Sequence, residues 1–375
     1  NGNVKKIFYA TSRGLYKRVA KPLFFRQDPE TAHDRITRAG YLLGRNRLGR
    51  ILTATIFRYN HPALEQKLWG LDFLNPVGLS AGFDKDAHLY SIMESVGFGF
   101  SEIGTVTYGA YEGNPKPRLY RLPQSKGLVV YYGLKSIGAQ AVIESLKIQT
   151  RTIPQIISVG RTNSSAVSSR EAGLTDYYYC LKKFVEINIG DAYEINISCP
   201  NTFGGEPFTN TNDLTRLLQK LYSLPVAKPI FLKMPINLPW EEFKNLLDVA
   251  IEFGVQAVVI GNLNKNRTDK TIKDTIPDYV KGAISGKPTW ELSNDLISRT
   301  YEHCGDKIKI IGVGGIFSAE DAYEKIKRGA SLVELITGMI YEGPQLIGEI
   351  NRGLTQLLIK DGYTNIRDAV GVYYR

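Results

Sequence analysis

Two lysines lie where an anion could compensate their charge. Lys85 and Lys233 each lie at or just past the end of a short β-branched segment, so both ammonium groups are expected in one shared cup. A buried, unpaired lysine is costly, and an anionic ligand removes that cost. The sequence therefore indicates a site for a substrate carboxylate or for a reduced cofactor that carries negative charge. The alternative is that each side chain extends along the surface into solvent, as most lysines do.

Cys199 and three asparagines lie at or just past the ends of other short β-branched segments. Cys199 lies in a Ser-Cys-Pro-Asn turn and would act as a general base if nearby cations lowered the pKa of its thiol, because the thiolate is the reactive form. A buried, inert thiol is the alternative. Asparagine amides donate and accept hydrogen bonds, as recognition of an amide or imide ring requires, although turn and cap roles are common. The asparagines are Asn196, Asn201 and Asn262.

Two glycine-containing turns, Gly314-Gly315 and Thr337-Gly338, follow the last two segments. In barrels built from eight βα units, a phosphate site commonly forms there from backbone N–H groups. Glycine lets the backbone approach the phosphate oxygens, although it also serves tight turns that bind nothing. The four histidines and three cysteines lack metal-ligand spacing, and we assign no metal.

Eight strands are needed to position these residues. From about residue 76 onward, short β-branched runs alternate with longer amphipathic stretches at the spacing of βα units. Eight such units without a low-complexity linker predict an α/β fold, a closed (β/α)8 TIM barrel with its functional side chains at the C-terminal ends of the strands. The predicted strands are Val77–Ala81, Ser101–Val106, Gln155–Val159, Ala192–Ser198, Pro229–Met234, Gln256–Ile260, Ile308–Val313 and Leu332–Ile336.

The positive charge of the chain is concentrated near its N-terminus. Residues 1–50 hold twelve Lys/Arg against three Asp/Glu, whereas residues 51–375 hold 35 against 34. Apolar residues in the first part recur at spacings that line one face of a helix. We therefore expect a helical extension over 1–50 that rests on a membrane surface, and a barrel over 51–375. The apolar residues include Phe8, Leu15, Val19 and Phe24.

Other interpretations of the extension are a solvated basic tail or a nucleic-acid patch. Nucleic acid would require basic residues over the barrel as well, and the charge there is balanced. No run of 18 apolar residues occurs, and nothing resembles a cleaved secretory signal, so we expect peripheral membrane association. A membrane anchor removed from the natural protein stays an alternative. The widely spaced cysteines predict no disulfide framework and a reducing compartment.

These clusters, in this order, resemble the dihydroorotate dehydrogenases, from about Asp28 to the C-terminus. The N-terminal segment Asp28-Pro-Glu-Thr-Ala-His33 and the C-terminal segment Asp368-Ala-Val-Gly371 are similar to the class 2, quinone-using branch of that family. Helices near the N-terminus of class 2 enzymes rest on a membrane and guide the quinone. The most specific segments are Asn75–Asp86, Gly97–Thr107, Pro117–Leu122, Ile195–Asn201 and Ile311–Ile316.

The resemblance implies a cofactor, a substrate and an acceptor. It implies that FMN is the cofactor, that Lys85, Asn196, Asn201 and Asn262 contact dihydroorotate or orotate, and that Cys199 removes the C5 proton. His33 and Arg121 would lie at the quinone entrance. A location at the cytoplasmic face of a bacterial inner membrane or at the mitochondrial inner membrane follows. The FMN-binding residues would be Ala81, Gly82, Thr105, Lys233, Ser285, Gly286, Gly314, Gly315, Thr337 and Gly338.

The sequence also departs from the class 2 pattern. Cys199 stands where class 2 enzymes typically carry serine and matches the class 1 choice. Val130 replaces an orotate-binding amide, and Leu263 replaces a threonine. Each lost hydrogen bond to a buried imide would cost about 1–3 kcal/mol. Further departures are Gly160-Arg161-Thr162-Asn163, where the family has Gly-Lys-Asn-Lys, and Ile336, where a tyrosine often lines the quinone path.

Three hypotheses follow from this combination of matches to the family pattern and departures from it. The leading one is oxidation of dihydroorotate to orotate with FMN and a membrane quinone, in which Tyr131, Tyr132, Lys135 or Ser136 replaces the missing amide. The second keeps the flavin but assigns a more apolar substrate. The third is a catalytically silent, membrane-bound protein that binds FMN or another ligand. Turnover of dihydroorotate separates the first from the others.

Overall fold

The computed structural model describes the backbone of residues 2–375 and the side chains of Lys5 and of residues 7–375. Eight parallel strands form one closed barrel, so the predicted TIM barrel is confirmed. Every predicted strand is present, with ends shifted by one or two residues. In their order around the barrel the strands are β3 (Val77–Leu79), β4 (Phe100–Thr107), β7 (Gln155–Gly160), β8 (Ala192–Asn196), β9 (Ile230–Met234), β10 (Ala257–Ile260), β12 (Lys309–Val313) and β13 (Ala330–Leu335).

Helices connect the strands and cover the outside of the barrel. Their sequences carry the expected signals: in α8 (Thr211–Tyr222), the side chain of Asn210 caps the N-terminus by accepting from the backbone N–H of Asp213, and leucines line the buried face. The remaining helices of this layer are α5 (Tyr90–Val96), α6 (Ala139–Lys147), α7 (Arg170–Glu186), α9 (Trp240–Glu252), α10 (Trp290–Cys304), α11 (Ala319–Lys327), α12 (Thr337–Glu342) and α13 (Leu346–Asp361).

The interior of the barrel is layered. Its lower layer is apolar and includes Phe100, Phe231 and Leu332, all fully buried. The antiparallel strands β1 (Gln66–Leu68) and β2 (Leu71–Phe73) close this end. The layer above it is polar, because alternate residues of a strand point to the same face and the next inward positions carry acidic, hydroxyl and lysine side chains.

A small antiparallel sheet lies outside the barrel and supplies part of its C-terminal mouth. It consists of β5 (Leu119–Leu122), β6 (Gly127–Val130) and β11 (Ala283–Gly286), with β6 in the centre. Val130 pairs with Leu119 on one side and with Ala283 on the other. Since β5 and β6 follow β4, and β11 follows β10, two barrel loops combine into one wall.

The N-terminal extension is helical, as predicted. It comprises α1 (Gly2–Leu15), α2 (Lys21–Phe25), α3 (Pro29–Arg45) and α4 (Arg47–Phe57), with a π-helical turn at Tyr16–Ala20. The side chain of Asp28 caps α3 by accepting from the backbone N–H of Thr31 at 2.9 Å. The expected domain boundary at residue 50 falls inside α4, so the helical extension continues to Phe57.

Polar contacts join the extension to the barrel. The hydroxyl of Tyr16 donates to the carbonyl oxygen of Ile340 at 2.6 Å, and Arg13 forms an ion pair with Glu349 at 2.7 Å. Within the part of the chain that is described, no helix is long and apolar enough to cross a membrane. Over the same residues, no cluster of three or more histidine, cysteine or acidic side chains is arranged to hold a metal ion.

Candidate active site

One large cavity opens at the C-terminal end of the barrel strands. It has about 1260 Å³ of empty space, its open mouth included. Cys199, the four predicted substrate contacts, the ten predicted cofactor residues and His33 all line it. The remaining wall comes from the small sheet and from the segment after it, and includes Leu119, Leu128, Val130, Tyr132 and Lys135.

Arg121 is not among the residues that line this cavity. Its guanidinium donates to the carbonyl oxygens of Phe24 at 3.0 Å and Gln27 at 2.8 Å, and stacks on the ring of Phe25. These carbonyls lie at the C-terminal end of α2, where a cation compensates the helix dipole. Arg121 therefore holds α2 against β5, whereas the other predicted entrance residue, His33, lies at the cavity and bonds the carbonyl of Phe83 at 2.8 Å.

The turns after β12 and β13 have the shape of an anion cradle. Gly314 and Gly315 have φ values of +110° and +73°, which side chains larger than hydrogen rarely adopt. A Cβ atom at Gly338 would lie 2.0 Å from the carbonyl oxygen of Ile316. The adjoining hydroxyls of Ser285 and Thr337 are hydrogen-bonded at 2.9 Å. Neighbouring protein atoms thus leave no space for a side chain at Gly314, Gly315 or Gly338, and all three glycines line the cavity.

Lys233 reaches the cavity floor from β9 and is surrounded by acid groups. Its Nζ lies 3.3 Å from Glu194 and 3.4 Å from Glu102. Burial alone would lower the pKa of Lys233, but the negative charges of Glu194, Glu102 and Glu334 outweigh burial and raise it. Lys233 is therefore an ammonium ion, and its charge is shared with the acid groups beneath it.

Cys199 follows β8 and partly faces the cavity. The protein around the thiol desolvates it and raises its pKa to about 12, although a hydrogen bond from the backbone of Asn201 and the charges of Arg161 and Lys233 act in the opposite direction. The condition stated for a base at this position, a thiol pKa lowered by nearby cations, is therefore not met. The cations are present, but burial outweighs them.

The three predicted asparagines meet at the same side of the cavity. Asn196 donates to the hydroxyl of Thr105 at 2.8 Å, and Asn262 donates to the hydroxyl of Ser198 at 2.7 Å. Asn201 donates to the carbonyl oxygen of Val130 at 2.8 Å. Their amides are positioned by the protein yet remain at the cavity wall, as ring recognition requires.

Comparison with known proteins identifies the family. The family model for dihydroorotate dehydrogenase matches residues 63–358. A protein of Crocosphaera subtropica named dihydroorotate dehydrogenase (quinone) is 38% identical, over 92% of this chain and 94% of that protein. A protein of Gloeobacter violaceus with the same name is 36% identical, over 94% of this chain and 98% of that protein. The chain belongs to the dihydroorotate dehydrogenase family.

Solved structures agree with this assignment. Crystal structures of DHODH from Eimeria tenella, in complex with ferulenol and ligand-free, are each 28% identical to this chain. Their TM-scores are 0.79 and 0.80, and the matches cover 93% of this chain and 96% and 100% of those chains. The names of the bacterial relatives confirm the resemblance to the quinone-using branch that the motifs predicted.

Some of the departures from the family pattern lie in the wall of the cavity. Val130 and Leu263 both line it, where the family pattern has an amide and a hydroxyl. Of the four residues expected to compensate, only Tyr132 and Lys135 line the cavity. Ser136 instead accepts hydrogen bonds from the backbone N–H groups of Thr107 and Gly138.

Tyr132 covers Lys85. The Nζ of Lys85 lies 4.1 Å from the centre of the Tyr132 ring, and burial lowers the pKa of Lys85 to about 8. The buried hydroxyl of Tyr132 has no hydrogen-bond partner in the described part of the chain. Lys135 is held by Glu30 of α3 at 3.3 Å. Two polar groups, one neutral and one cationic, therefore stand near the position that lost its amide.

The divergent segment after β7 has a structural role. Thr162 bonds the carboxylate of Asp176 through its backbone N–H at 2.7 Å and its hydroxyl at 2.9 Å. Asn163 donates to the carbonyl of Gly133 at 2.9 Å and accepts from the backbone N–H of Phe203 at 2.6 Å. It therefore joins the loop that carries Tyr132 to the loop that follows Cys199.

Three glutamates at the site were missed in the sequence. Glu102, Glu194 and Glu334 lie within barrel strands and are fully buried. The available signal was an acidic residue in the middle of an otherwise apolar strand, where a charge is rare unless it is paired. Because three strands carry one each, the signal was also repeated.

Proposed function

We propose that this protein oxidises dihydroorotate to orotate, with FMN as its cofactor and a membrane quinone as the electron acceptor. The observation that carries the proposal is the convergence in a single cavity of Cys199, four candidate substrate contacts and ten candidate cofactor residues. These residues come from most of the barrel strands and from the small sheet. The names of the bacterial relatives supply the same reaction and acceptor.

The residues present fit a flavin mononucleotide. Gly314, Gly315 and Gly338 line the cavity in two neighbouring turns, where backbone N–H groups can bind a phosphate. Ser285 and Thr337 add hydroxyl groups beside it. Lys233 and Thr105 line the floor at the other end of the cavity. Bound FMN would supply the redox chemistry, accepting a hydride from the substrate and passing electrons to the quinone.

The protein groups bind and orient the substrate. Lys85 offers an ammonium group to the carboxylate of dihydroorotate, and an anion there would offset the cost of its burial. Asn196, Asn201 and Asn262 offer amides to the ring. Cys199 takes the C5 proton, and because burial raises the pKa of its thiol, the fraction in the reactive thiolate form grows with pH.

An apolar wall supports access for a quinone. Leu119, Leu128, Ile340 and Ile336 line the cavity on the side of the N-terminal helices, and His33 of α3 lies beside them. The apolar tail of a quinone would enter between α3 and the small sheet. We infer that the helical extension lies on a membrane surface, at the cytoplasmic face of a bacterial inner membrane or at the mitochondrial inner membrane.

Anaerobic mixing of the purified protein with dihydroorotate tests the proposal. The bound flavin should lose its yellow absorbance within one turnover, and a membrane quinone should restore it. A colourless protein that cannot be reconstituted with FMN would exclude the proposal. Flavin that binds but is reduced only by a more apolar compound would assign the site to a different substrate.

A further inference from the structure

The polar layer of the barrel contains more acid than base. Glu102 of β4, Glu194 of β8 and Glu334 of β13, here called the glutamate cluster, are each 0% exposed. Lys233 of β9 is the cation among them, with 5% of its side chain exposed. The groups that face the cluster from β3 and β7 are the hydroxyls of Ser80 and Ser158. Three carboxyl groups thus share one ammonium group.

The hydrogen bonds of the cluster cannot be completed by three carboxylates. Glu102 accepts from the backbone N–H of Ala81 at 3.0 Å, and Glu194 accepts from Ser158 at 2.5 Å. One oxygen of Glu102 and both oxygens of Glu334 have no donor in the described part of the chain. The carboxyl groups of Glu194 and Glu102 lie 3.3 Å and 3.4 Å from the same Nζ of Lys233, which leaves the two acids close enough for a carboxyl–carboxyl contact. Such a contact is a hydrogen bond only when one carboxyl of the pair carries a proton.

Charge balance leads to the same conclusion. Three ionised carboxylates and one ammonium group would leave two uncompensated negative charges in a dry interior, which is strongly unfavourable. Burial and the charge of Glu102 raise the pKa of Glu194 to about 8 and also raise the pKa of Glu334. Protons are therefore stored beneath Lys233 at neutral pH.

We propose that Glu194 and Glu334 are positioning residues that act through Lys233 and bind an additional proton when the cofactor above it is reduced. This inference rests on the proposed function, because it requires FMN over Lys233. Negative charge on the reduced cofactor at the cavity floor interacts with the ammonium group of Lys233. The positive charge of Lys233 then balances less of the negative charge of the carboxylates. The cluster then takes one proton from water and releases it on reoxidation, while the hydride, which carries both electrons, comes from the substrate.

The proposal predicts how the flavin midpoint potential depends on pH. Below pH 8 the cluster is already protonated in both redox states, so the Glu194→Gln/Glu334→Gln variant and the wild type should have similar potentials. Above pH 8, the midpoint potential of the wild type should fall more steeply with pH than that of the variant. Each additional coupled proton changes the reduction equilibrium tenfold per pH unit, about 30 mV for a two-electron couple.

The experiment is an equilibrium redox titration of the FMN-loaded proteins with reference dyes, from well below to well above pH 8. Asp176→Asn is the matched control, a buried carboxyl on α7 whose pKa is also raised by burial and which lies outside the barrel. It should follow the wild type. A potential difference that is the same at every pH would indicate a structural role only and would overturn the proposal, as would coincident curves.

Two further measurements keep the test decisive. If the double variant loses its flavin, Glu334→Gln alone is titrated, since the ion pairs of Lys233 among the described residues are with Glu102 and Glu194 and are kept in that variant. The infrared carbonyl band of protonated carboxyl groups should be weaker in the variants, and an unchanged band would contradict the stored protons. Wild type that is reduced by dihydroorotate but has the same pH slope as the variant would refute the inference alone, whereas a protein without flavin would refute both.

Discussion

Lys85, Cys199 and Glu194 are buried ionisable side chains of the barrel. Burial shifts the pKa of each in the direction that favours the neutral form of the side chain. The pKa of Lys85 is lowered to about 8, that of Glu194 is raised to about 8 and that of Cys199 to about 12. An anionic ligand reverses this effect for the lysine and strengthens it for the acids. The pH dependence of binding and of the chemical step should therefore differ.

Orotate binding should weaken above pH 8. The free protein loses the charge of Lys85 as pH rises through its lowered pKa, so the orotate Kd should increase by up to about tenfold per pH unit above that point. Lys85→Met should weaken binding by about 2–5 kcal/mol and abolish this pH dependence. Flavin absorbance during orotate titration measures both. Lys244→Met, on α9, is the control, and equal Kd values for the two variants would contradict the role of Lys85.

Flavin reduction by dihydroorotate should become faster as pH rises. The thiolate fraction of Cys199 grows tenfold per pH unit below its raised pKa of about 12. Cys199→Ala should slow the step by about 10²–10⁴-fold and keep FMN bound. Cys199→Ser should retain more activity than Cys199→Ala at high pH. Rapid mixing measures the rates, and equal rates for the wild type and Cys199→Ala would turn attention to Ser198.

At the scale of elements, the turn that begins α12 should control cofactor retention. Gly338→Ala would place a methyl group 2.0 Å from the carbonyl of Ile316, so the turn must shift. Overpacking of this kind costs about 1–3 kcal/mol, and the FMN affinity should fall accordingly. Fluorescence of released FMN on dilution measures the loss. Gly14→Ala, which has no neighbour within 4 Å, should leave it unchanged.

The N-terminal helices present an unusual amount of apolar surface. Among the described side chains, eleven of the twenty-one large exposed hydrophobic residues lie between residues 7 and 52. They include the predicted Phe8, Leu15 and Val19, whereas Phe24 is half-buried. A surface of this kind, combined with basic residues, suits an anionic bilayer.

Three substitutions test the membrane surface without cutting α4. Leu15→Glu, Val19→Glu and Leu23→Glu together should abolish binding to anionic vesicles and impair quinone reduction, while flavin reduction by dihydroorotate is retained. Binding by the wild type should weaken with salt, since exposed charges are screened over about 8–10 Å. Vesicle pelleting measures it. The matched control replaces three exposed residues of the barrel, Ile148, Ile187 and Ile359, by glutamate. Equal pelleting of the two triple variants would exclude the helices as the membrane surface.

For the whole molecule, the glutamate cluster makes stability depend on pH. The native state binds more protons than the unfolded chain between the ordinary glutamate pKa of 4.5 and the raised value of about 8 for Glu194. The free energy of unfolding should therefore decrease as pH rises through this interval, by about 1.4 kcal/mol per unit of pKa shift at most. Urea unfolding at several pH values measures it. The Glu194→Gln/Glu334→Gln variant should have a flatter profile, and parallel profiles would contradict protonated carboxyls.

The barrel, the family and many of the residues that line the cavity could be predicted from the sequence alone. Eight β-branched segments in βα spacing identify the strands, and residues at strand ends must meet because parallel strands in a closed barrel end at one rim. This rule predicts that Lys85, Cys199 and Gly314 lie at the same rim, without any knowledge of their contacts.

Only the tertiary structure decided what surrounds each of these residues. Arg121 donates to carbonyl oxygens at the end of α2, α4 continues past residue 50, and burial raises the pKa of the Cys199 thiol although cations lie near it. Desolvation and charge compensation depend on all neighbours in space, which come from distant parts of the chain. For the same reason, three single glutamates on separate strands became one buried cluster around Lys233 only when the barrel closed.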